Sequence, residues 1–267
     1  MKLSPFLGLL AALALAACAT DTAPNADNYE SLVRQAEDAR RSGDFDSAMP
    51  LFGRAAQVNP DGLEAKLGLG QVYLAVGASD EAAAQFRDVL ARRSTNTAAR
   101  RGLAAALISM GQPELAEKQA DALLQSDATD YRALNTLGVA LDMQGRHAEA
   151  QARYRAGLDI APDFLPLRSN LGLSLAISGD PVSAVAMLTP ISTGRGADAR
   201  VRQNLAFAYA MAGDLEACLQ VSRKDLDEAS AQRQLQYFMQ LRALPVDLRS
   251  AELRRNPNFF PQSAASG

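Results

Sequence analysis

The sequence predicts an all-α chain: a superhelical solenoid of about six helix-turn-helix repeats, closed by a C-terminal capping helix. Two residue ladders and the composition predict it. Six glycines, Gly43, Gly77, Gly111, Gly145, Gly179 and Gly213, stand 34 residues apart without an insertion. Five residues after each comes a small side chain: Ala48, Ala82, Ala116, Ala150, Ala184 and Cys218. Glycine fills about 7% of an average chain, so five further glycines landing on beat has a chance of order 10⁻⁶. The chain is 48% hydrophobic but 6% aromatic, a balance that suits helices packed on small residues better than sheets.

Each period reads the same way. In the fourth, Leu134, Leu137, Gly138 and Leu141 form one helical stripe at i, i+3, i+4 and i+7. Gly145 breaks that helix, where glycine takes the left-handed conformation cheaply. Ala150, Tyr154, Gly157 and Leu158 form the facing stripe of a second helix, and Pro162 ends the unit. Gly138 and Ala150 carry little or no side chain, so the two helices can approach closely there.

These residues resemble the tetratricopeptide-repeat (TPR) signature. The fullest matches are Leu69-Gly70-Gln71-Val72-Tyr73 with Ala82 and Phe86, and Leu137-Gly138 with Ala150, Tyr154 and Pro162. Leu171-Gly172 with Ala184, and Leu205-Ala206 with Tyr209, continue it. The first unit keeps Ala36, Ala39, Ala48, Phe52 and Pro60 but lacks the glycine on its first helix. The third has Ala104 and Ala120 where the family usually has Gly and an aromatic, and in the fifth Pro190 predicts an early end or kink. The resemblance spans residues 28–228 and implies a TPR superhelical solenoid of six units. Fold alone assigns no function.

Residues 229–244, with Leu235, Phe238, Met239 and Leu241 apolar, read as a capping helix, since a terminal repeat needs its last apolar face covered. Residues 245–267 hold three prolines and a Ser/Ala-rich end, and read as a mobile tail. Within it Phe259-Phe260 suggests a short docking motif, against the plainer reading of loose packing on the last helix.

The N-terminus is an address. Lys2 and the free amine precede the apolar run Phe6 to Leu15, too brief to span a membrane, so residues 1–17 read as a signal peptide. Leu15-Ala16-Ala17-Cys18 resembles the lipobox of bacterial lipoproteins, which implies that Cys18 becomes the acylated first residue of the mature chain, followed by a tether over 18–27. Two or more acyl chains anchor firmly where one holds marginally. Ala19, in place of Asp, implies outer-membrane sorting in the enterobacterial scheme. With Cys18 acylated, Cys218 is the last thiol, and its place in the alanine ladder marks it as a small buried hydrophobe.

Several function classes fall away. A net charge of −3 offers no electrostatic footprint for nucleic acid. His147 is the only histidine, so a His-bearing metal site or catalytic triad rests on one residue near a turn, where packing or surface duty is expected. Gly68-Leu69-Gly70 superficially matches a phosphate loop, but Tyr73 replaces its third glycine and it lies within a helix. No enzyme activity, no cofactor and no metal are expected.

Recognition is expected on the inner side, lined by the first helix of each unit. One inward ladder runs Glu37, Gln71, Ala105, Val139, Leu173, Phe207; a second runs Val33, Leu67, Arg101, Asn135, Ser169, Gln203. A third runs Arg34, Gly68, Gly102, Thr136, Asn170, Asn204. An amide side chain can pair with the N–H and C=O of an extended peptide while apolar neighbours accept its side chains. The expected peptide groove covers units four to six, with Arg101, Asn135, Val139, Asn170, Leu173, Asn204 and Phe207 as its contacts. Arg132, Arg200 and Arg202 stand near its rim. The competing reading is that the asparagines satisfy neighbouring backbone and the apolar positions pack on the next helix.

Leu171-Gly172-Leu173-Ser174-Leu175-Ala176-Ile177-Ser178-Gly179 and Arg202-Gln203-Asn204-Leu205-Ala206 resemble the TadD family, TPR lipoproteins encoded with the tight-adherence (Flp) pilus machinery. Members act as assembly factors at the outer membrane, resembling pilotins in helping the secretin channel localise or multimerise. The resemblance implies a lipid-anchored protein on the periplasmic face of the outer membrane, whose partner is a secretin segment or another pilus component. The alternative is a generic periplasmic TPR scaffold for cell-wall or outer-membrane biogenesis.

Overall fold

The computed structural model describes residues 26–194 and 198–256. The signal segment, Cys18 and Phe259-Phe260 lie outside the described residues. These comprise fourteen helices and no strand. Six hairpins follow in chain order: α1 (Ala26–Ser42) with α2 (Phe45–Val58), α3 (Leu63–Ala75) with α4 (Ser79–Arg92), and α5 (Thr97–Ser109) with α6 (Pro113–Ser126). Then come α7 (Tyr131–Met143) with α8 (His147–Ile160), α9 (Leu165–Ser178) with α10 (Pro181–Ser192), and α11 (Ala199–Ala212) with α12 (Leu215–Ser222). Two more helices follow, α13 (Glu228–Ala243) and α14 (Val246–Arg255).

The turns explain the 34-residue beat. All six ladder glycines have φ between +67° and +102°, and no other described residue has a positive φ. In each hairpin the residue after the glycine donates its N–H to the carbonyl five residues back, at 2.8 to 3.0 Å. This bond closes the last turn of the first helix, and it needs the left-handed residue that a side chain would strain. Starts are marked as well. Asp44, Asn96, Asp130, Asp180, Asp198, Asp214 and Asp227 each accept a backbone N–H from the first turn of the helix they precede.

Successive first helices touch one another, from α1 against α3 through α9 against α11, whereas second helices touch only their sequence neighbours within the solenoid. The first helices therefore lie closer together and line the inner face. Several other glycines make room for rings. A Cβ on Gly68 would stand 2.3 Å from Phe52, one on Gly102 2.3 Å from Phe86, and one on Gly138 2.3 Å from Tyr154. An aromatic on a second helix thus presses onto its own first helix or the next one. In the third unit Ala104 and Ala120 are both fully buried, the small pair standing in for glycine and ring. Helix α10 runs through Pro190 and ends two residues later at Ser192.

Cys218 is fully buried, as its ladder position predicts, and burial pushes its thiol up to about 11. The C-terminus departs from expectation. Over Val246–Arg255 the supposed mobile tail is a helix, with Arg249, Ser250 and Leu253 buried. Helix α13 packs on α11 and α12, and α14 turns back onto α7 and α9. Arg249, Ser250 and Leu253 form its inner side, while Val246 at its start is exposed. That side holds one aliphatic residue only, too few to announce a packed helix by hydrophobic periodicity.

Candidate functional site

The inner face has an open part and a covered part. The open part is a cleft of about 390 Å³ between α3, α5, α7 and α9. Gly102 and Ala105 form its floor, Gln71 and Arg101 one wall, and Tyr131, Arg132, Asn135 and Phe164 the other. The floor is low because the ladder positions carry so little side chain there.

Two arginines behave differently in it. Arg101 donates from Nη2 to Oδ2 of Asp130 at 2.6 Å. The other Asp130 oxygen caps α7, accepting from the Arg132 and Ala133 N–H groups, each at 3.1 Å. One buried carboxylate thus starts a helix and neutralises Arg101. Arg132 has no carboxylate partner among the described residues. Its guanidinium stands 5.5 Å from the Tyr131 ring centre and 5.4 Å from that of Phe164, and the two rings meet edge-to-face at 4.9 Å. A cation on an aromatic platform is held in place while keeping its charge available to an acidic group.

The covered part lies over units four to six, where the peptide groove was expected. Of the seven expected contacts, Arg101 and Asn135 line the cleft. Val139, Asn170, Leu173, Asn204 and Phe207 are buried. Phe207 stands edge-to-face with Phe238 of α13 at 5.2 Å between ring centres. Asn170 donates from Nδ2 to Oδ1 of Asn135 at 2.9 Å, and Asn204 to Oγ of Ser169 at 2.9 Å. The amides therefore bridge neighbouring first helices, one unit to the next, instead of facing an extended peptide. Arg202 is held by Asp225 at 2.5 Å. The expected groove is a packed face because its large apolar residues are covered by the chain's own C-terminus.

A buried polar cluster fastens that cover. Asp142 accepts from Ser174 Oγ at 2.7 Å and Tyr154 Oη at 2.9 Å, and its Oδ1 lies 2.8 Å from Nδ1 of His147. Nε2 of His147 lies 2.6 Å from Oγ of Ser250 on α14. Burial pushes the Asp142 carboxyl above its usual range, and Tyr154 well above its own. Arg249 donates to three carbonyls, Ile177 at 2.9 Å and Leu241 and Leu244 each at 3.1 Å. Ser250, His147 and Asp142 stand in the order of a nucleophile, base and orienting acid. Yet Ser250 is 2% exposed and its Oγ also lies 2.8 Å from the Val246 carbonyl, so the chain of contacts ties helices together and presents no nucleophile to solvent. His147 thus has a packing role.

Sequence reading missed Asp142, Ser250, Tyr131 and Phe164. For Asp142 a signal exists: its ladder runs Arg40, Leu74, Ile108, Asp142, Ala176, Ala210, a lone acid among apolar residues after the first unit. Ser250 carries no signal, because the contact joins residues 103 apart in sequence.

Tetratricopeptide-repeat models match residues 33–99, residues 74–141, and residues 131–156 with 199–224, together more than half of the chain. No curated protein matches the sequence. Among solved structures, the chain is similar to a tetratricopeptide repeat protein from Parabacteroides merdae ATCC 43184, at 16% identity and a TM-score of 0.70, over 81% of this chain and 86% of that one. It is similar to PilW, a widely conserved type IV pilus biogenesis factor, at 18% identity and a TM-score of 0.66, over 79% and 98% of the two chains. It is similar also to PilF of Pseudomonas aeruginosa, at 17% identity and a TM-score of 0.61, over 78% and 97%.

Proposed function

The chain belongs to the tetratricopeptide-repeat family, and from that premise we propose that it is a protein-binding assembly factor whose docking site is the cleft over units two to four. The observation that carries this reading is Arg132, laid on Tyr131 and Phe164 beside a floor of Gly102 and Ala105. That arrangement suits an extended segment bearing an acidic side chain or a C-terminal carboxylate, with Gln71 available to its backbone.

The machinery it serves is the tight-adherence (Flp) pilus, and its client is a secretin segment or another pilus component. The wording around Leu171–Gly179 and Arg202–Ala206, which resembles the TadD family, supports this. The site of action is the periplasmic face of the outer membrane, with Cys18 acylated; the lipobox-like Leu15-Ala16-Ala17-Cys18 supports that part. The mechanism is tethered binding, in which an anchor raises the local concentration of the module near its client.

A photo-crosslinking residue at Thr136, in the cleft, tests both halves when captured partners are identified by mass spectrometry. Capture of a secretin or pilus component, lost on Arg132→Ala with folding unchanged, is the expected result. Recovery of cell-wall enzymes alone would replace the pilus reading with a general envelope scaffold, and capture unaffected by Arg132→Ala would move the site elsewhere.

A further inference from the structure

We propose that α14 is a releasable strap, and that the inner face of units four and five beneath it is a second docking surface, shaped for an amphipathic helix of a partner protein. The proposal does not rest on the cleft over units two to four. Helix α14 has ten residues, fewer than a helix needs to persist alone in water. It is joined to α13 through Leu244 and Pro245, both extended, with ψ of 145° and 155°. Rotation at these two residues swings α14 away without unwinding α13.

Release orphans little. The carbonyls that hold Arg249 belong to Ile177, in the last turn of α9, and to Leu241 and Leu244, at the end of α13. Terminal carbonyls lack intrahelical partners in any case, and water can take them once the strap lifts. The donors to Asp142 come from α8 and α9 and stay in place when α14 leaves. The socket is therefore preformed: Asp142 fixes the His147 ring, whose Nε2 faces the position that Ser250 now fills. Of the strap's own side chains, only Leu253 contributes a fully buried aliphatic group.

The occupant defines what the surface accepts. A partner helix would carry Leu253's equivalent at one position, a hydroxyl three residues before it, and an arginine one residue before that. A solenoid that covers part of its recognition face with its own terminal helix exposes that part only to a client able to compete with the tether.

The test uses the full chain and a fluorescent, N-acetylated peptide of residues 245–256 as the probe. Amide exchange of the native protein should show α14 opening at least 100-fold more readily than α7 and α9. The probe should bind Arg249→Ala and Leu253→Ala chains at least tenfold more tightly than the native chain, because both loosen the strap and spare the socket. Adding His147→Ala to either should abolish that gain, with thermal melts confirming that the solenoid persists. Equal protection of α14 and α9 overturns the proposal, since it rests on no substitution. So does equal affinity of the probe for native and loosened chains. A loosened chain that dimerises through exchanged α14 helices, blocking the probe, would assign the surface to a second copy and overturn the partner reading.

Discussion

The inner faces of units two and three and of units four to six share one backbone plan and end in opposite states. Both are lined by first helices spaced 34 residues apart, with the same turns and the same small-residue ladder. In the first stretch the central ladder reads Gln71, Ala105; in the second it reads Val139, Leu173, Phe207. Small and polar residues leave a cleft open to solvent. Large apolar ones demand cover, and the chain supplies it with α13 and α14. Side-chain size at one repeated position therefore distinguishes a unit that keeps an open cleft from one that packs against the chain's own terminus.

The largest expected effect breaks that cover. Phe207 is fully buried against Phe238, so Phe207→Ala should cost about 3–5 kcal/mol, read as a lowered urea midpoint. Amide exchange should then rise across α13 and α14 while α1 to α3 stay protected, since their apolar cluster is separate. Gln71→Ala, at the corresponding ladder position of the open cleft, should change stability by about 0.5 kcal/mol or less. Comparable losses at both sites would mean that the two faces are built on the same packing after all.

A smaller effect tests the hairpin crossings beneath both faces. A methyl group on Gly138 meets the Tyr154 ring at 2.3 Å, so Gly138→Ala should destabilise by about 1–3 kcal/mol through overpacking. Gly102→Ala, against Phe86, belongs to the same class. The third unit already pairs Ala104 with Ala120, both fully buried, so Ala104→Gly should there cost about 1–2 kcal/mol, the helix-propensity loss plus one buried methyl. Thermal melts of the three variants decide whether ring pressure or propensity governs these positions.

Repetition made the fold readable. A glycine at φ of +67° or more recurs six times, and each occurrence confirms the others, so even the weak third unit is placed by its neighbours. The recognition face was less readable, because inward position alone does not distinguish an open residue from a covered one. Asn170 and Asn204 carry the right chemistry for a peptide backbone, but only coordinates reveal that their amides are spent on Asn135 and Ser169. The cover itself was hidden for a related reason. Helix α14 is held by Arg249 on three carbonyls and by Ser250 on His147, contacts that leave no hydrophobic period in the sequence. Arg132 stood in the expected rim, yet its platform needs Phe164, which lies in the connector before the next unit.

The smallest expected effect is a pH dependence confined to the covered face. Burial raises the Asp142 carboxyl in the folded chain, while hydrogen bonds from His147, Ser174 and Tyr154 oppose that rise. The folded chain therefore holds this proton at pH values where the unfolded chain has lost it. The stability contributed by the group is fully present below the ordinary carboxylate value of about 4, and declines as pH rises through the folded-state value. Ser174→Ala removes one donor that favours the charged form, which lifts the folded value further and deepens that decline. The cost of Ser174→Ala should consequently be larger above the folded-state value than at pH 4, by about 1 kcal/mol, because a hydrogen bond to a charged group is roughly twice as strong as a neutral one. Urea titrations of the native and Ser174→Ala chains at the two pH values measure it. A cost independent of pH would show that Asp142 keeps one protonation state across the range, and that the latch joining the solenoid to α14 is insensitive to acid.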